Sequence, residues 1–249
     1  MEFPERIEYV AKQLGITADE IRDKLAHAPE DPTFCQDPEN IAQHVDFTIL
    51  SAFATTKDVI ILCDRAKKYN TKAVCVNPNR VQICKEQLAG TNIRIASVVG
   101  FPLGATTSAA KAFEAKEAAN NGANEIDMVI DIGALIEGDY KKVRQDIAEI
   151  VAAVPQCYVK CIIETCYLSQ EQIIDASILT VISGAHNVKT STGFGTLGAK
   201  PENVALMRKV VGPKFGVKAA GGVRTKEHAR IVIAAGASRI GASAPGVLE

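Results

Sequence analysis

The chain has 249 residues, with a hydrophobic fraction of 47% and a charged fraction of 23%. These values are typical of an ordinary globular protein, and the length fits one large α/β barrel or two smaller domains. The net charge of −1 and the absence of tryptophan give no basis for binding nucleic acid. The apolar runs break within about ten residues, well short of the ~20 that span a bilayer, so we expect no membrane segment.

Residues 1–40 predict a helical extension that precedes the main fold. Thr17 and Glu20 have the spacing of a capping box for a helix that continues to Ala26. Prolines then interrupt the chain before the next apolar segment begins. Residues 1–15 lack the apolar core of a cleavable signal peptide. We therefore divide the chain into an N-terminal extension and a single larger unit over residues 41–249.

The cysteines and histidines indicate a reducing compartment and no metal. The seven cysteines form no C-x-x-C pair, and most lie in apolar segments, where a thiol behaves as a small hydrophobe. The four histidines are scattered along the chain, without the spacing of a zinc site. No phosphate-binding G-x-x-x-x-G-K-[ST] motif and no serine-type triad is recognisable. We expect a cytoplasmic protein that needs no cofactor and no metal.

From residue 41 onward a short apolar segment, a polar loop and an amphipathic helical segment recur. Eight strand candidates follow one another at intervals of 21 to 33 residues, close to the ~30 residues of a βα unit. Eight strands alternating with helices predict an α/β fold with one closed (β/α)8 barrel, a TIM barrel. An open doubly wound sheet is the alternative, although it usually has fewer strands. The strand candidates are residues 44–50, 72–77, 94–100, 125–131, 158–165, 187–191, 216–221 and 239–243.

Three of the intervening helices have recognisable ends. Residues 55–69 form an amphipathic segment, and residues 108–122 form an alanine-rich one with Ser108 as the predicted N-cap. Residues 169–186 begin at Ser169, which is also a typical N-cap residue, and contain a glycine near the C-terminal end.

Two lysines lie where strands of the predicted barrel end, which is where such barrels hold their catalytic groups. Lys189 and Lys218 occupy matching places in N-V-K-T-S and G-V-K-A-A, in consecutive units. If their strands are neighbours, both amines point into one mouth, and each lowers the pKa of the other. A neutral amine can attack a carbonyl and form a Schiff base. Solvated or salt-bridged lysines are the structural alternative.

Asp127 ends the fourth predicted strand and is placed to balance the remaining charge and to transfer protons. A helix cap or a simple salt bridge is the alternative role for this carboxylate. Other polar residues in or near the predicted strand ends have no assigned chemistry at this point. They are Asp46, Thr48, Lys160 and Glu164.

Three loops near these strand ends have the composition of a phosphate site. AAGGVRT (219–225) contains two glycines that allow close backbone approach, and IGASA (240–244) follows the eighth strand. The loops after the seventh and eighth strands are where barrels often bind phosphate through backbone N–H groups. The hydroxyl groups and glycine of residues 191–193, in the K-T-S-T-G block, are placed to complete this cradle.

Seven motifs in a fixed order cover nearly the whole chain from about residue 40. They are VDFTIL (45–50), AVCVNP (73–78), EIDMVIDIGAL (125–135), KCIIET (160–165), VKTSTGF (188–194), VKAAGGVRT (217–225) and RIGAS (239–243). This set resembles the deoxyribose-phosphate aldolase family, whose members are class I, Schiff-base aldolases with a (β/α)8 barrel. The K-T-S-T-G and A-G-G-V-R-T blocks together make the resemblance specific.

The resemblance implies reversible cleavage of 2-deoxy-D-ribose 5-phosphate to D-glyceraldehyde 3-phosphate and acetaldehyde, in deoxyribose phosphate catabolism. Lys189 matches the Schiff-base lysine, Lys218 the second lysine that lowers its pKa, and Asp127 the carboxylate of the proton relay. The family also suggests a homodimer or a homotetramer. An aldolase for another sugar phosphate, or a barrel that binds phosphorylated metabolites without catalysis, remains open.

The same resemblance assigns the substrate contacts. Asp46 matches an acidic residue that helps to orient the substrate, and Thr192 matches a position that lines the sugar site. Phe194 is a departure, because some family members have a lysine there. The positions that match the phosphate pocket are Gly193, Gly221, Gly222, Gly241 and Ser243.

Overall fold

The computed structural model describes residues 3–32, 35 and 37–249. Eight parallel strands pair in sequential order and close into a barrel, with the last strand beside the first. The predicted (β/α)8 fold is therefore confirmed. The strands are β1 (Val45–Ile49), β2 (Ala73–Val76), β3 (Arg94–Val99), β4 (Glu125–Val129), β5 (Tyr158–Ile162), β6 (Asn187–Lys189), β7 (Gly216–Ala220) and β8 (Arg239–Ala242).

Helices surround the barrel and connect its strands. Apolar side chains on the outer face of the strands pack against them and form one large core. Within the described part of the chain, no helix is long and apolar enough to cross a membrane. The helices are α1 (Phe3–Leu14), α2 (Ala18–Ala26), α3 (Thr56–Tyr69), α4 (Val81–Gln87), α5 (Ser108–Asn121), α6 (Ile132–Glu137), α7 (Tyr140–Ala153), α8 (Gln170–Ile182), α9 (Pro201–Val211) and α10 (Lys226–Ala234).

The two helices of the N-terminal extension lie on the outside of the barrel. Helices α1 and α2 pack against α8, and α1 also contacts α7. The Arg6 guanidinium is buried and donates to Asp175, which also accepts the Tyr140 hydroxyl at 2.5 Å. The boundary of the extension at residue 40 stays a prediction. Residues 1, 2, 33, 34 and 36 of the extension lie outside the described residues.

The helix caps agree with the sequence at two of three predicted positions. Thr17 and Glu20 form the predicted capping box, and Ser169 caps α8. The predicted cap at Ser108 is wrong, because the preceding residue, Thr107, accepts the N–H of the third helical residue. The Ser108 hydroxyl instead donates to Asp146 at 2.9 Å, so it makes a tertiary contact in place of a helix cap.

Most strands are shorter than predicted, because their polar ends belong to the loops that form the mouth of the barrel. The fifth strand ends at Ile162, and Glu164 two residues later has a left-handed backbone with φ 50°. The sixth strand ends at Lys189 itself. Lys189 and Glu164 therefore lie where loops begin, whereas Asp127 and Lys218 are each the third of five residues in β4 and β7.

Candidate active site

The register of β6 and β7 brings the two predicted lysines side by side. Lys189 and Lys218 are direct register partners in neighbouring strands, as their matching places in the sequence predicted. Both Nζ atoms donate to the same oxygen, Oδ2 of Asp127, at 2.8 Å each. All three side chains are buried, with Lys189 the most exposed at 3%. The three predicted catalytic residues thus form one contiguous cluster.

The surroundings of the two lysines separate their proton affinities. Burial is the main cause that lowers the pKa of Lys189, and the Lys218 ammonium lowers it further against the opposing effect of Asp127. Burial also acts to lower the pKa of Lys218, but Asp127 and Asp46 together raise it above its usual range. Lys189 is therefore the amine that loses its proton more readily, and Lys218 remains an ammonium.

Asp127 is held by basic groups on both of its oxygens. Lys160, on β5, donates to Oδ1 at 2.6 Å while the other two lysines bind Oδ2. Burial acts to raise the pKa of Asp127, but the three lysines lower it well below its ordinary value. The thiol of Cys75 lies 4.0 Å from Oδ2, and burial raises its pKa, so it stays protonated beside the cluster.

A second layer of ion pairs lies beneath the lysines, inside the barrel. Asp46 accepts from Lys218 and, at 2.8 Å, from Nε of Arg239. Arg239 also donates to Glu125 at 2.8 Å, and Glu125 lies 2.5 Å from Nζ of Lys160. All of these side chains are fully buried. The network therefore extends without a break from the catalytic cluster to the base of the barrel.

The position of Asp46 differs from the expectation that it orients substrate. Its side chain is fully buried beneath Lys218, and it is not among the residues that line the cavity at the mouth. The carboxylate is already bonded to Lys218 and Arg239. Asp46 therefore contacts Lys218 from beneath and does not face the cavity.

A cavity of about 480 Å³ opens at the carboxyl ends of the strands, directly above the lysine cluster. Lys189 contributes to its wall, whereas Asp127 and Lys218 lie behind that wall. The cavity brings together most of the predicted substrate-binding positions. They are Thr192, Gly193, Gly221, Gly222, Gly241 and Ser243.

The backbone of the predicted phosphate loops requires glycine. Gly193, Gly221 and Gly222 have φ angles of 86°, 84° and 79°, a region that side chains disfavour. The loop after β6 also lies directly on the loop after β7. A Cβ atom at Gly198 would lie 2.1 Å from the carbonyl oxygen of Gly221. Glycine at these positions lets the two loops approach each other and leaves backbone groups facing the cavity.

Glu164 fixes the hydroxyl that the sequence places in the sugar site. The Thr192 hydroxyl donates to Oε2 of Glu164, and the Thr192 N–H reaches the same oxygen at 3.2 Å. The Thr192 hydroxyl in turn accepts the N–H of Phe194 at 3.0 Å. Since its proton is already donated, the hydroxyl has an acceptor lone pair left for a substrate.

Sequence reasoning missed several residues of this site. Glu164 and Lys160 were recognised as polar residues near strand ends but received no role, and Arg239 and Glu125 were not recognised at all. Arg239 reaches partners 193 and 114 positions away, so only the barrel's register reveals the contact. The signal available in the sequence was a charged residue inside an apolar strand, which is costly unless it is paired or used.

The outer part of the cavity combines apolar and basic side chains. Phe194 is 58% exposed, and its ring meets that of Phe101 edge-on at 5.3 Å. Arg65 and Arg224 also line the cavity, at its exposed rim. Within residues 3–32, 35 and 37–249, no three histidine, cysteine or acidic side chains converge as metal ligands would. The cavity therefore offers an amine, backbone donors and two guanidinium groups.

Comparison with known proteins identifies the family. The model of the DeoC/LacD family aldolases matches residues 40–248, which is most of the chain. The chain belongs to this aldolase family. The aldolase is 55% identical, over 208 residues, to the deoxyribose-phosphate aldolase of Thermococcus gammatolerans, a match that spans 82% of this chain and 92% of the relative. It is 54% identical over 206 residues to that of Bacillus cereus strain AH187, with the same coverage.

Solved structures agree with the architecture of the aldolase. The tetrameric deoxyribose phosphate aldolase of Aeropyrum pernix superposes with a TM-score of 0.79 at 29% sequence identity. The superposition covers 93% of this chain and 97% of that one. An aldolase named QR15 gives the same TM-score at 33% identity, over 86% of this chain and 94% of the other. The likeness therefore includes the N-terminal part of the chain as well as the barrel.

Proposed function

We propose that this aldolase cleaves 2-deoxy-D-ribose 5-phosphate reversibly to D-glyceraldehyde 3-phosphate and acetaldehyde through a Schiff base at Lys189. The observation that carries the proposal is the pair of register-matched lysines that share Oδ2 of Asp127, with Lys189 in the wall of the cavity. The relatives named deoxyribose-phosphate aldolase, at more than half identity over most of the chain, support this choice of substrate.

The reaction begins with the neutral amine of Lys189, which attacks C1 of the open-chain aldehyde. Loss of water from the resulting carbinolamine leaves an iminium ion, which serves as the electron sink. Burial and the Lys218 ammonium favour the neutral amine at the start. Lys218 and Asp127 lie beside the amine, where they can donate a proton to the departing hydroxyl group and take one from an adjacent water.

Cleavage then requires removal of the proton on the C3 hydroxyl. Asp127, relayed through Lys218 or a water, accepts this proton as the C2–C3 bond breaks.

The products identify the bond that breaks. Acetaldehyde carries C1 and C2 of the sugar, and glyceraldehyde 3-phosphate carries C3 to C5, so the bond that breaks is C2–C3. Removal of the C3 hydroxyl proton turns that oxygen into the carbonyl oxygen of glyceraldehyde 3-phosphate. The electrons of the C2–C3 bond move into the iminium and give an enamine on Lys189, which is protonated at C2 and hydrolysed to acetaldehyde.

Phosphate binding in the loops after β7 and β8 would set the register of the sugar above Lys189. Gly221, Gly222 and Ser243 line that part of the cavity, and Arg224 adds a positive charge at its rim. Backbone N–H groups near a helix start favour an anion, and Thr225 caps α10 just beyond this loop. Holding the substrate in this way supplies the orientation on which the rate depends.

The test is a coupled assay of aldehyde release from 2-deoxy-D-ribose 5-phosphate by the purified protein. The proposal predicts turnover that is abolished in Lys189→Ala, and much slower turnover of 2-deoxy-D-ribose without the phosphate. Turnover of a different sugar phosphate alone would favour an aldolase of other specificity. Binding of the substrate without any aldehyde release would favour a non-catalytic barrel and contradict the proposal.

We also infer that the aldolase forms a homodimer or homotetramer. The support is its likeness to the tetrameric enzyme of Aeropyrum pernix, which covers 93% of this chain. Light scattering during size-exclusion chromatography measures the assembly directly. A mass of two or four times 26.6 kDa is expected, and a monomer at micromolar concentration would contradict the inference.

A further inference from the structure

The charged groups inside the barrel balance only if one of them is neutral. Three carboxylates lie in the described interior network, those of Asp46, Glu125 and Asp127. Four buried basic side chains face them, namely Lys160, Lys189, Lys218 and Arg239. A fifth, Arg94, pairs with Glu125 from a position where its side chain is 31% exposed to solvent. Each of the seven buried groups is at most 3% exposed, so solvent screens them little. Without Lys189, the buried cations and the buried carboxylates are equal in number.

Lys160 makes contacts that suit a permanent cation. Its Nζ lies 2.6 Å from Oδ1 of Asp127, 2.5 Å from Oε2 of Glu125 and 3.7 Å from Oδ2 of Asp46. Burial alone would lower its pKa, but Asp127 and Glu125 raise it above the ordinary value. Lys160 does not line the cavity, so it has no contact with a substrate there.

We propose that Lys160 is a positioning residue that keeps Lys189 uncharged, by supplying the third cation that the three buried carboxylates require. It holds Oδ1 of Asp127, so that only Oδ2 of that carboxylate faces the two lysines at the cavity floor. Loss of the Lys160 charge would leave the three buried carboxylates with two buried cations and the partly exposed Arg94 at Glu125. Lys189 would then keep its proton to restore the balance beside Asp127. This inference rests on the proposed Schiff-base function.

The other groups around the network do not offer a substitute for Lys160 at Asp127. Strand β3 contributes apolar Ala96 and Val98 to this part of the interior, and its Arg94 pairs with Glu125 and is 31% exposed. Burial keeps the Cys75 thiol protonated, and Glu164 is bonded to Thr192 at the mouth. Among the described residues, the titratable and charged groups of this network, by strand, are Asp46 (β1), Cys75 (β2), Arg94 (β3), Glu125 and Asp127 (β4), Lys160 and Glu164 (β5 and its end), Lys218 (β7) and Arg239 (β8).

The test is the pH dependence of kcat/KM in Lys160→Met. A retained proton on Lys189 moves the acidic limb of the profile to higher pH, by roughly one unit or more, because loss of a nearby like charge raises the pKa of an amine. Lys160→Arg keeps the charge and should keep the limb near its wild-type position. Lys111→Met is the matched control. It removes a buried lysine that pairs with Asp146 outside this network, and it should leave the limb unmoved.

A double variant separates charge balance from structural damage. Lys160→Met with Glu125→Gln leaves two carboxylates and two cations, so the limb should return toward the wild-type position although two buried residues have changed. The inference would be overturned if the acidic limb of the kcat/KM profile stays in place in folded Lys160→Met. It would also be overturned if that limb moves to still higher pH in the double variant. If Lys160→Met does not fold, Arg239→Met removes another of the three cations and gives the same test.

Borohydride trapping distinguishes failure of this inference from failure of the proposed function. The rate of adduct formation at Lys189 with acetaldehyde, followed by mass spectrometry across pH, reports the neutral amine without requiring turnover. An upward shift of this profile in Lys160→Met is expected. No adduct in the wild type would contradict the proposed function itself. An adduct with the same pH profile in both proteins would contradict the role of Lys160 alone.

Discussion

At the scale of single residues, the Asp127 carboxylate connects the three buried lysines of the site. Its Oδ2 accepts from Lys189 and Lys218, and its Oδ1 accepts from Lys160. The two lysines at Oδ2 differ in proton affinity because only Lys218 has Asp46 as a second anion. The same carboxylate can therefore stabilise one ammonium and exchange protons with the neighbouring amine.

Replacing Asp127 should separate covalent chemistry from proton transfer. In Asp127→Asn, we expect kcat to fall by about 100-fold or more, the usual contribution of a general acid–base group. Lys189 should still form a borohydride-trapped adduct, since loss of the anion favours its neutral form. Steady-state kinetics and mass spectrometry measure the two effects. Asp146→Asn, which alters a buried carboxylate outside the barrel, is the control. A kcat within threefold of wild type would refute the proton-transfer role.

The sequence predicted the residues at the cavity floor but not those that hold them. Lys189, Lys218 and Asp127 lie in or at the end of predicted strands, near the end of the barrel that carries function in this fold. Arg239 and Glu125 are the first residues of β8 and β4, and they pair across the interior of the closed barrel, which no local pattern encodes. Their contacts became visible only with the closed barrel.

At the scale of elements, the loop after β6 is shaped by its contact with the loop after β7. The Ala199 N–H donates to the Gly221 carbonyl at 3.0 Å, and Gly198 lies against the same peptide. The glycines in these loops were predicted, whereas the contact between the loops was not, because it joins residues more than 20 positions apart. The wrong cap at Ser108 has a similar origin, since its hydroxyl is taken by a distant aspartate.

A side chain at Gly198 should disturb the phosphate loop. In Gly198→Ala, the new Cβ would lie 2.1 Å from the Gly221 oxygen, so the loop after β7 must move. We expect KM for the phosphorylated substrate to rise about tenfold, equivalent to about 1.4 kcal/mol of lost binding, with a smaller change in kcat. Gly133→Ala is the control, because its Cβ would make only an ordinary contact at 3.5 Å. An unchanged KM in Gly198→Ala would show that this loop contact does not position the substrate.

At the scale of the whole molecule, the inside of the barrel contains paired charged side chains where most proteins have apolar ones. Burial acts to raise the pKa values of Asp46, Glu125 and Asp127, but the surrounding cations lower all three below their ordinary values. A carboxylate with a lowered pKa in the folded state stabilises the fold above its unfolded pKa. That stabilisation is lost as the pH falls through the folded-state value.

The free energy of unfolding should therefore fall steeply in acid. The unfolded carboxylates titrate near pH 4, so we expect stability to hold above about pH 5 and to decline below it. Each pKa lowered by one unit contributes about 1.4 kcal/mol.

Urea unfolding from pH 2 to 7 measures the slope of the unfolding free energy against pH. The slope should be shallower in the Lys160→Met and Glu125→Gln double variant, which has one buried carboxylate fewer. Equal unfolding free energies at pH 3 and pH 6 would contradict the ion-pair description of the interior.

In the proposed mechanism, Lys189 forms the covalent bond with the substrate and Lys218 does not. Borohydride reduction in the presence of 2-deoxy-D-ribose 5-phosphate, followed by peptide mapping, tests it directly. We predict one irreversible adduct per chain, located on the peptide that contains Lys189 and absent from Lys189→Ala. An adduct on Lys218, or an unchanged protein mass, would contradict the account.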